Sequence, residues 1–254
     1  RLLQRRLVWE VDDEATIDQT EYLELCGSIG WPAAMTRPEL MYTYSILASC
    51  SMKPTQKRKE AGLHAVGYLV NTPVIGPVYG GKLRIPLGLS EFPEGFNETS
   101  GLYASTDSSY GKEPRPQGGH VVMRLNGPLL WSSKAFKTAV PTSTAEAETA
   151  QASRATKDLI YVKALGKGVK RPMMGPGQLL VDNSALRDHV LKEGPSHRTR
   201  HFERATMIVK WAVLRLLVVL RLVPTDSMIA DIFTKAVDKD TFMHMRNNMM
   251  NVQS

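Results

Sequence analysis

Apolar and polar positions along this 254-residue chain change their rhythm near residue 97. Before it, "DQTEYLELCGSIGWPAAM" leads through Thr36-Arg37-Pro38 into "PELMYTYSILASCSM". Pro38 suits the first turn of a helix, and Leu40, Met41, Tyr42, Tyr44, Ile46 and Leu47 leave that helix little polar surface, which predicts burial. A second helix, "PTQKRKEAGLHAVGYLV", starts at Pro54. Lys57, Arg58 and Lys59 give it a solvated front, and Leu63, Val66, Tyr68 and Val70 give it an apolar end. Residues 71–100 are rich in Pro and Gly and read as short strands or linker. "VDDEAT" at 11–16 reads as a surface loop. The composition shift divides the chain into 1–96 and 97–254.

After residue 97, "GLYASTDSSYG" predicts a strand ending at Asp107. "GGHVVMRL" and "GPLLWSSKAF" predict two more, joined by a turn at Asn126-Gly127, and the three form an antiparallel meander. A helix of about 20 residues follows from Thr144, by its hydrophobic period. Then come the basic loop "GKGVKRPMMGPG" and the strand "QLLV" ending at Asp182. The rest reads as a short helix "NSALRDHVLKEG", a helix from about Arg200, a strand over Val218–Val223 and a last helix after Pro224. Three strands followed by alternating helix and strand predict an α/β mixed sheet with helices on both faces.

Composition narrows the function classes. The longest apolar run, "WAVLRLLVVLRLVP", contains Arg215 and Arg221 and is too short to cross a bilayer. There are two cysteines, with no CxxC pair and no Cys/His cluster of zinc spacing, so no disulfide framework or structural zinc is supported. An intracellular, reducing setting fits, and "NETS" at 97–100 is read as a chance match to the glycosylation pattern. The chain has neither an initiator Met nor a signal peptide and reads as a piece of something longer. The net charge of +7 lies in the second part: residues 1–96 carry 10 Lys+Arg against 11 Asp+Glu, and residues 97–254 carry 22 against 14. Such a surplus suits either a solvated surface or a polyanionic partner.

The candidate chemistry is acidic. In "TSTAEAETAQAS", Ser143 and Glu146 fit a capping box, with the glutamate reaching back to the cap amide. Glu148 instead falls on the stripe Glu148, Ala152, Ala155, Leu159, Val162, an apolar face predicted to pack on the sheet. A carboxylate there is costly to bury without a cationic partner. Asp107 and Asp182 each close an apolar strand, and Asp231 lies beside Ile229, Ile232 and Phe233 near the start of the last helix. Taken singly, each has an ordinary reading as a cap or turn residue. Four carboxylates around one sheet repel one another, and at neutral pH they hold protons or bind divalent metal. Oxygen ligands without nearby His or Cys suit Mg²⁺ or Mn²⁺. Two such ions roughly 3.5–4 Å apart can serve phosphodiester hydrolysis.

The ordered set Asp107, Glu148, Asp182, Asp231 resembles the ribonuclease H family. More narrowly, the chain resembles the C-terminal part of the Pol polyprotein of copia-type LTR retrotransposons. "WSSKAFKTAVPTSTAEAE", "VDNSAL", "SHRTRHFE" and "VPTDSMIADIFTK" are similar to that group's W-S-S-K-x-x-K-T…S-S-T-E-A-E, D-N-x-[SA]-A, H-x-R-[ST]-K-H-I-[DE] and V-P-[ST]-x-x-x-x-A-D-[IL]-[FL]-T-K. Upstream, "YLELCGSIGWPAAMTRPELMYTYSILA" is similar to the segment after the polymerase palm. The resemblance covers roughly residues 20–245. Two departures stand out: "STDSSYG" where the group has D-A-D-[WY]-[AG], and "AVLRLLVVL" where it has polar, Glu-rich residues.

The resemblance implies a ribonuclease H-like mixed five-stranded sheet (97–254), preceded by a smaller, mostly helical reverse transcriptase thumb/connection segment (1–96). It implies that Asp107, Glu148, Asp182 and Asp231 hold two Mg²⁺ ions, with Mn²⁺ able to substitute, and cut the RNA strand of RNA/DNA hybrids. Polymerase aspartates have no counterpart, so the upstream polymerase domain of the same polyprotein is an implied partner. Lys167, Lys170, Arg171, Asn183, Arg198 and Arg200 are candidate contacts to the nucleic acid, with exposed loop and helix-start roles as the plain alternative. His197 and His201 receive no catalytic role. The competing reading is a catalytically inactive hybrid-binding or structural domain of the same fold. An integrase-like nuclease fits the D-N-x-A and A-D-[IL]-x-T-K contexts less well.

Overall fold

A computed structural model describes residues 17–93, 96, 101–110, 116–136, 141–191 and 203–252. The expected loop at 11–16, the sequon at 97–100, and Arg198, Arg200, His197 and His201 lie outside the described residues.

Three helices open the described chain: α1 (Gln19–Met35), α2 (Met41–Ser49) and α3 (Gln56–Asn71). Asp18 caps α1 by accepting from the Glu21 amide, and Pro38 opens a short 3₁₀ turn, Pro38–Leu40, before α2. Tyr22, Cys26, Ile29, Tyr42, Ile46, Leu47, Ala61 and Ala65 form their shared core. The inward face of α3 corrects the expectation drawn from its sequence. Small residues, Ala61, Gly62 and Ala65, allow it close to α1, and a Cβ on Gly62 would stand 2.7 Å from Leu25. Arg58 is buried, whereas Leu63 and Val70 are exposed. Burial here follows close backbone approach rather than side-chain hydrophobicity. Among the described residues of 72–100 there is no strand.

The sheet contains β1 (Tyr103–Ser109), β2 (Gln117–Arg124), β3 (Gly127–Ala135), β4 (Gly177–Val181) and β5 (Val218–Leu222), in the order β3-β2-β1-β4-β5. β1, β2 and β3 pair antiparallel, and β4 runs parallel to β1 and β5. The β2–β3 turn sits one residue earlier than expected, on Leu125 and Asn126, both with positive φ (49° and 69°). A two-residue hairpin of this twist needs two such residues. Asn126 is held there by its side chain, which accepts from the Arg84 amide and donates to the carbonyls of Gly80 and Lys82.

One face of the sheet carries α4 (Thr144–Gly168), α5 (Ser184–Leu191) and α6 (Glu203–Leu214), packed through Leu102, Ala104, Val122, Leu159, Val162, Leu179 and Val181. The expected stripe of α4 is buried, Glu148 included. The capping box differs in detail: Ser143 Oγ accepts from the Glu146 amide, but Glu146 Oε2 reaches one residue further back, to the amide and hydroxyl of Thr142.

On the other face lie the 3₁₀ segment Ile229–Phe233 and α7 (Lys239–Met250). A continuous last helix after Pro224 is therefore not found. Ile229 and Ile232 stack with the three-residue period of a 3₁₀ turn, and Asp238 starts α7 afresh as its cap. The helical part docks against this face. Trp131 Nε1 donates to the Ala33 carbonyl at 2.8 Å, and a buried network runs from Arg37 and Glu39 (2.7 Å) through Tyr68 to Arg246 on α7. No helix among the described residues is long and apolar enough to cross a membrane.

Candidate metal centre

Asp107 lies within β1 rather than at its end, since the strand continues to Ser109; Asp182 directly follows β4. Strand alternation turns Asp107 toward the face that carries Ile229–Phe233. Glu148 reaches the same point from the first turns of α4. Asp107, Glu148 and Asp182 each present a carboxylate oxygen, and these atoms lie within 4.8 Å of one another. Asp231 sits in the 3₁₀ segment rather than on the last helix, and is linked to Asp107 through Lys235, whose Nζ faces a carboxylate oxygen of each.

Three contacts place Asp231. Ser105 Oγ accepts from the Ala230 amide at 3.2 Å, and Ser133 Oγ donates to the Phe233 carbonyl at 2.6 Å. Gly119, the cross-strand partner of Asp107, supplies the third: a Cβ there would meet Phe233 Cβ at 2.4 Å. The absence of a side chain lets the segment lie directly on β2.

The electrostatics are those of carboxylates in excess. Burial, then the charges of Asp107 and Asp182, push the Glu148 carboxyl up to about 9. Burial, then Asp107, push Asp231 up to about 7 against the pull of Lys235. Asp182 is also raised, by burial and then Asp107, with Thr225 opposing. Lys235 is the cationic neighbour, 2.8 Å from Asp231 Oδ2 and 4.0 Å from Asp107 Oδ2. Burial alone would lower its pKa, but the combined pull of Asp107, Asp231 and Asp182 raises it. The Thr234 hydroxyl donates to Asp107 Oδ2, and Asp231 Oδ1 is buried without a hydrogen-bond partner. An all-carboxylate set that retains protons, with an oxygen left unpaired, matches the donor chemistry of Mg²⁺ or Mn²⁺.

A second network, buried at His120 and Gln151, fixes α4 over β2. His120 Nε2 lies 2.7 Å from Asp158 Oδ2, Gln151 Nε2 lies 2.8 Å from His120 Nδ1, and Arg154 donates to Gln151 Oε1 at 3.4 Å. An amide donor on Nδ1 makes that nitrogen the acceptor, so Nε2–H donates to Asp158. Gly118 provides the room, since a Cβ there would meet Gln151 Oε1 at 2.2 Å. Gln151 lies one helical turn from Glu148, so this network sets the register of the helix that carries the acid.

Sequence reasoning passed over Thr234, Lys235, Gly119 and His120 as site-forming residues. Thr234 and Lys235 stood in plain view in "ADIFTK", and the glycine pair Gly118-Gly119 was read only as strand sequence. Of the candidate nucleic-acid contacts, Lys167, Lys170 and Arg171 are exposed at the far end of α4, roughly 28 Å along the helix from Glu148 at 1.5 Å per residue. Asn183 caps α5, accepting from the Leu186 amide at 3.1 Å.

The strand order and directions are those of the ribonuclease H-like mixed five-stranded sheet that the sequence motifs implied. No protein-family model matches the chain. Its relatives among curated proteins come from retrotransposons, as its motifs implied. It is 26% identical over 145 residues (56% of this chain, 42% of the relative) to the putative transposon Ty5-1 protein YCL074W of Saccharomyces cerevisiae. It is 25% identical over 169 residues (65% and 10%) to the retrovirus-related Pol polyprotein from transposon RE1 of Arabidopsis thaliana. The chain thus spans less than half the length of either relative.

Among solved structures, it is similar to the N-terminal ribonuclease H domain of a Mycobacterium tuberculosis protein (12% identity, TM-score 0.40, 57% of this chain and 94% of that one). It is also similar to the foamy viral protease-reverse transcriptase in complex with RNA/DNA hybrid (12%, 0.45, 89% and 27%).

Proposed function

We propose that this chain is the ribonuclease H part of a retrotransposon Pol protein, a metal-dependent endonuclease that hydrolyses the RNA strand of RNA/DNA hybrids. The convergence of Asp107, Glu148 and Asp182 within 4.8 Å carries this reading, with Asp231 linked to Asp107 through Lys235. In it, residues 97–254 form the nuclease and 1–96 a thumb/connection-like segment following an upstream polymerase.

Asp107 is the central ligand, since its charge perturbs each of the other three acids. Glu148, Asp182 and Asp231 complete the set. Two Mg²⁺ ions held there, or Mn²⁺ in their place, would supply Lewis-acid stabilisation of the attacking and leaving oxygens. The side chains do the rest. Glu148 and Asp231 would give up their protons on binding the ions, Thr234 fixes the Asp107 carboxylate, and Lys235 offsets the charge beside Asp231 in their absence. Hybrid recognition rests on 2′-hydroxyls and duplex shape rather than on base sequence.

The test is cleavage of end-labelled RNA/DNA hybrid with Mg²⁺, beside a chelated control and Asp182→Asn. Metal-dependent cutting of the RNA strand alone, lost in the variant, is the expected result. Folded protein that binds the hybrid and leaves the RNA whole with Mg²⁺ and with Mn²⁺ would replace this reading with that of an inactive hybrid-binding domain.

A further inference from the structure

A cleft of about 730 Å³ opens where the helical part meets the sheet. One wall is α2, presenting Tyr44, Ser45 and Ser49; the other is built from the end of β3 and the outer side of α4, presenting Lys134, Arg154 and Lys157. The two walls are joined at Gln117, whose Nε2 donates to Ser45 Oγ at 2.9 Å and to Ser133 Oγ at 2.8 Å. Neither part of the chain makes this cleft alone.

Its charge is unbalanced. Among the described residues, none of Lys134, Arg154 and Lys157 has a carboxylate partner. The acid lining the cleft, Asp158, is already held by His120 at 2.7 Å. Arg154 is laid over the Phe136 ring, 4.4 Å from its centroid, with one hydrogen bond to Gln151. That stacking fixes a planar donor in place with most of its N–H groups unused. Partial burial pulls the Arg154 pKa down, a desolvation penalty that a bound anion would offset.

Its position relates it to the acids. Ser133 pairs with Gly119, which pairs with Asp107, so the cleft begins level with the centre and two strands away, about 10 Å at the usual strand spacing. We infer that this cleft is a track for the sugar–phosphate backbone of the nucleic acid flanking the cleaved position, with Lys134, Arg154 and Lys157 on phosphates and the α2 hydroxyls on the opposite wall. The inference rests on the nuclease reading above and gives the helical part a role in it, as half of a binding track.

The experiment is equilibrium binding of a labelled RNA/DNA hybrid in chelated buffer, where cleavage does not intervene, across a series of salt concentrations. Lys134 and Lys157 are both exposed, so Lys134→Ala/Lys157→Ala leaves the core untouched. A control of equal charge removes two exposed lysines elsewhere, Lys82→Ala/Lys239→Ala. The cleft variant should bind several-fold more weakly, with the slope of log K against log salt reduced by about one per lysine, and the control should match wild type. Ser49→Asp, on the helical wall, should weaken binding in the same direction. Wild type that binds while the cleft variant equals the control would overturn the track and leave those cations to an acidic protein segment. Wild type that does not bind hybrid at all would overturn the nuclease reading itself.

Discussion

Lys235 Nζ stands 2.8 Å from Asp231 Oδ2, four residues away in the sequence, and offsets part of the negative charge of the acid cluster. In the proposed metal centre, the pair makes Lys235 a competitor of the ion. Lys235→Met should lower the stability of the metal-free protein, because Asp231 and Asp107 lose their only ion-pair partner among the described residues. It should also tighten Mn²⁺ binding. Calorimetric titration of both proteins with Mn²⁺ checks this, and weaker binding by the variant would assign Lys235 a supporting role instead.

Metal-free stability should fall as pH rises. The folded-state values of Glu148 (about 9) and Asp231 (about 7) lie above their ordinary values of 4.5 and 3.8. A raised carboxyl contributes stability that is fully present below the unfolded-state pKa and is lost as pH rises through the folded-state pKa. Urea unfolding in chelated buffer should therefore show a decline from about pH 4 to about pH 9. Added Mg²⁺ should reduce that decline by replacing the protons, and Glu148→Gln should flatten its upper part.

Glu39 is fully buried, bonded to Arg37 and Tyr68, and the chain of contacts continues to Arg246 on α7. Removing the carboxylate leaves the Arg37 charge buried with only the neutral oxygens of Thr72 as acceptors, and breaking a buried ion pair in this way typically costs about 3–5 kcal/mol. Glu39→Ala should lose stability of that order in chemical denaturation. Tyr68→Phe, which keeps the ring, should lose less.

Gly119→Ala should cost about 1–3 kcal/mol by overpacking, because its Cβ would collide with Phe233 and Thr234. Gly67→Ala on α3, where nothing lies within 4 Å, should be neutral or stabilising. Thermal melts of the two variants, followed by Mn²⁺ titration, separate a local shift of the Asp231 segment from general loss of fold.

The legibility of this molecule in its sequence was uneven for physical reasons. The buried stripe of α4 was readable because a helix with Glu148 on its apolar side is an expense that chemistry must justify. The meander and β5 were readable from apolar runs bounded by turn residues. The 3₁₀ segment was not, because "MIADIF" has the composition of a helix and only packing against Gly119 shows that it is a tighter turn. The inward face of α3 was misread because Ala61, Gly62 and Ala65 bury by proximity, which a hydrophobicity pattern does not register. The His120 network was invisible because its partners on α4 lie 31 and 38 residues along the chain from His120.

The contact between Gly119 and Phe233 also bears on how a related sequence could lose an acidic centre of this kind. A survey that asks only whether the four acids survive would score as intact a sequence with one added methyl group at position 119. That sequence would keep all four carboxylates while the methyl group pushed the Asp231 segment off β2, so the change would be recorded in a glycine codon rather than in the acids.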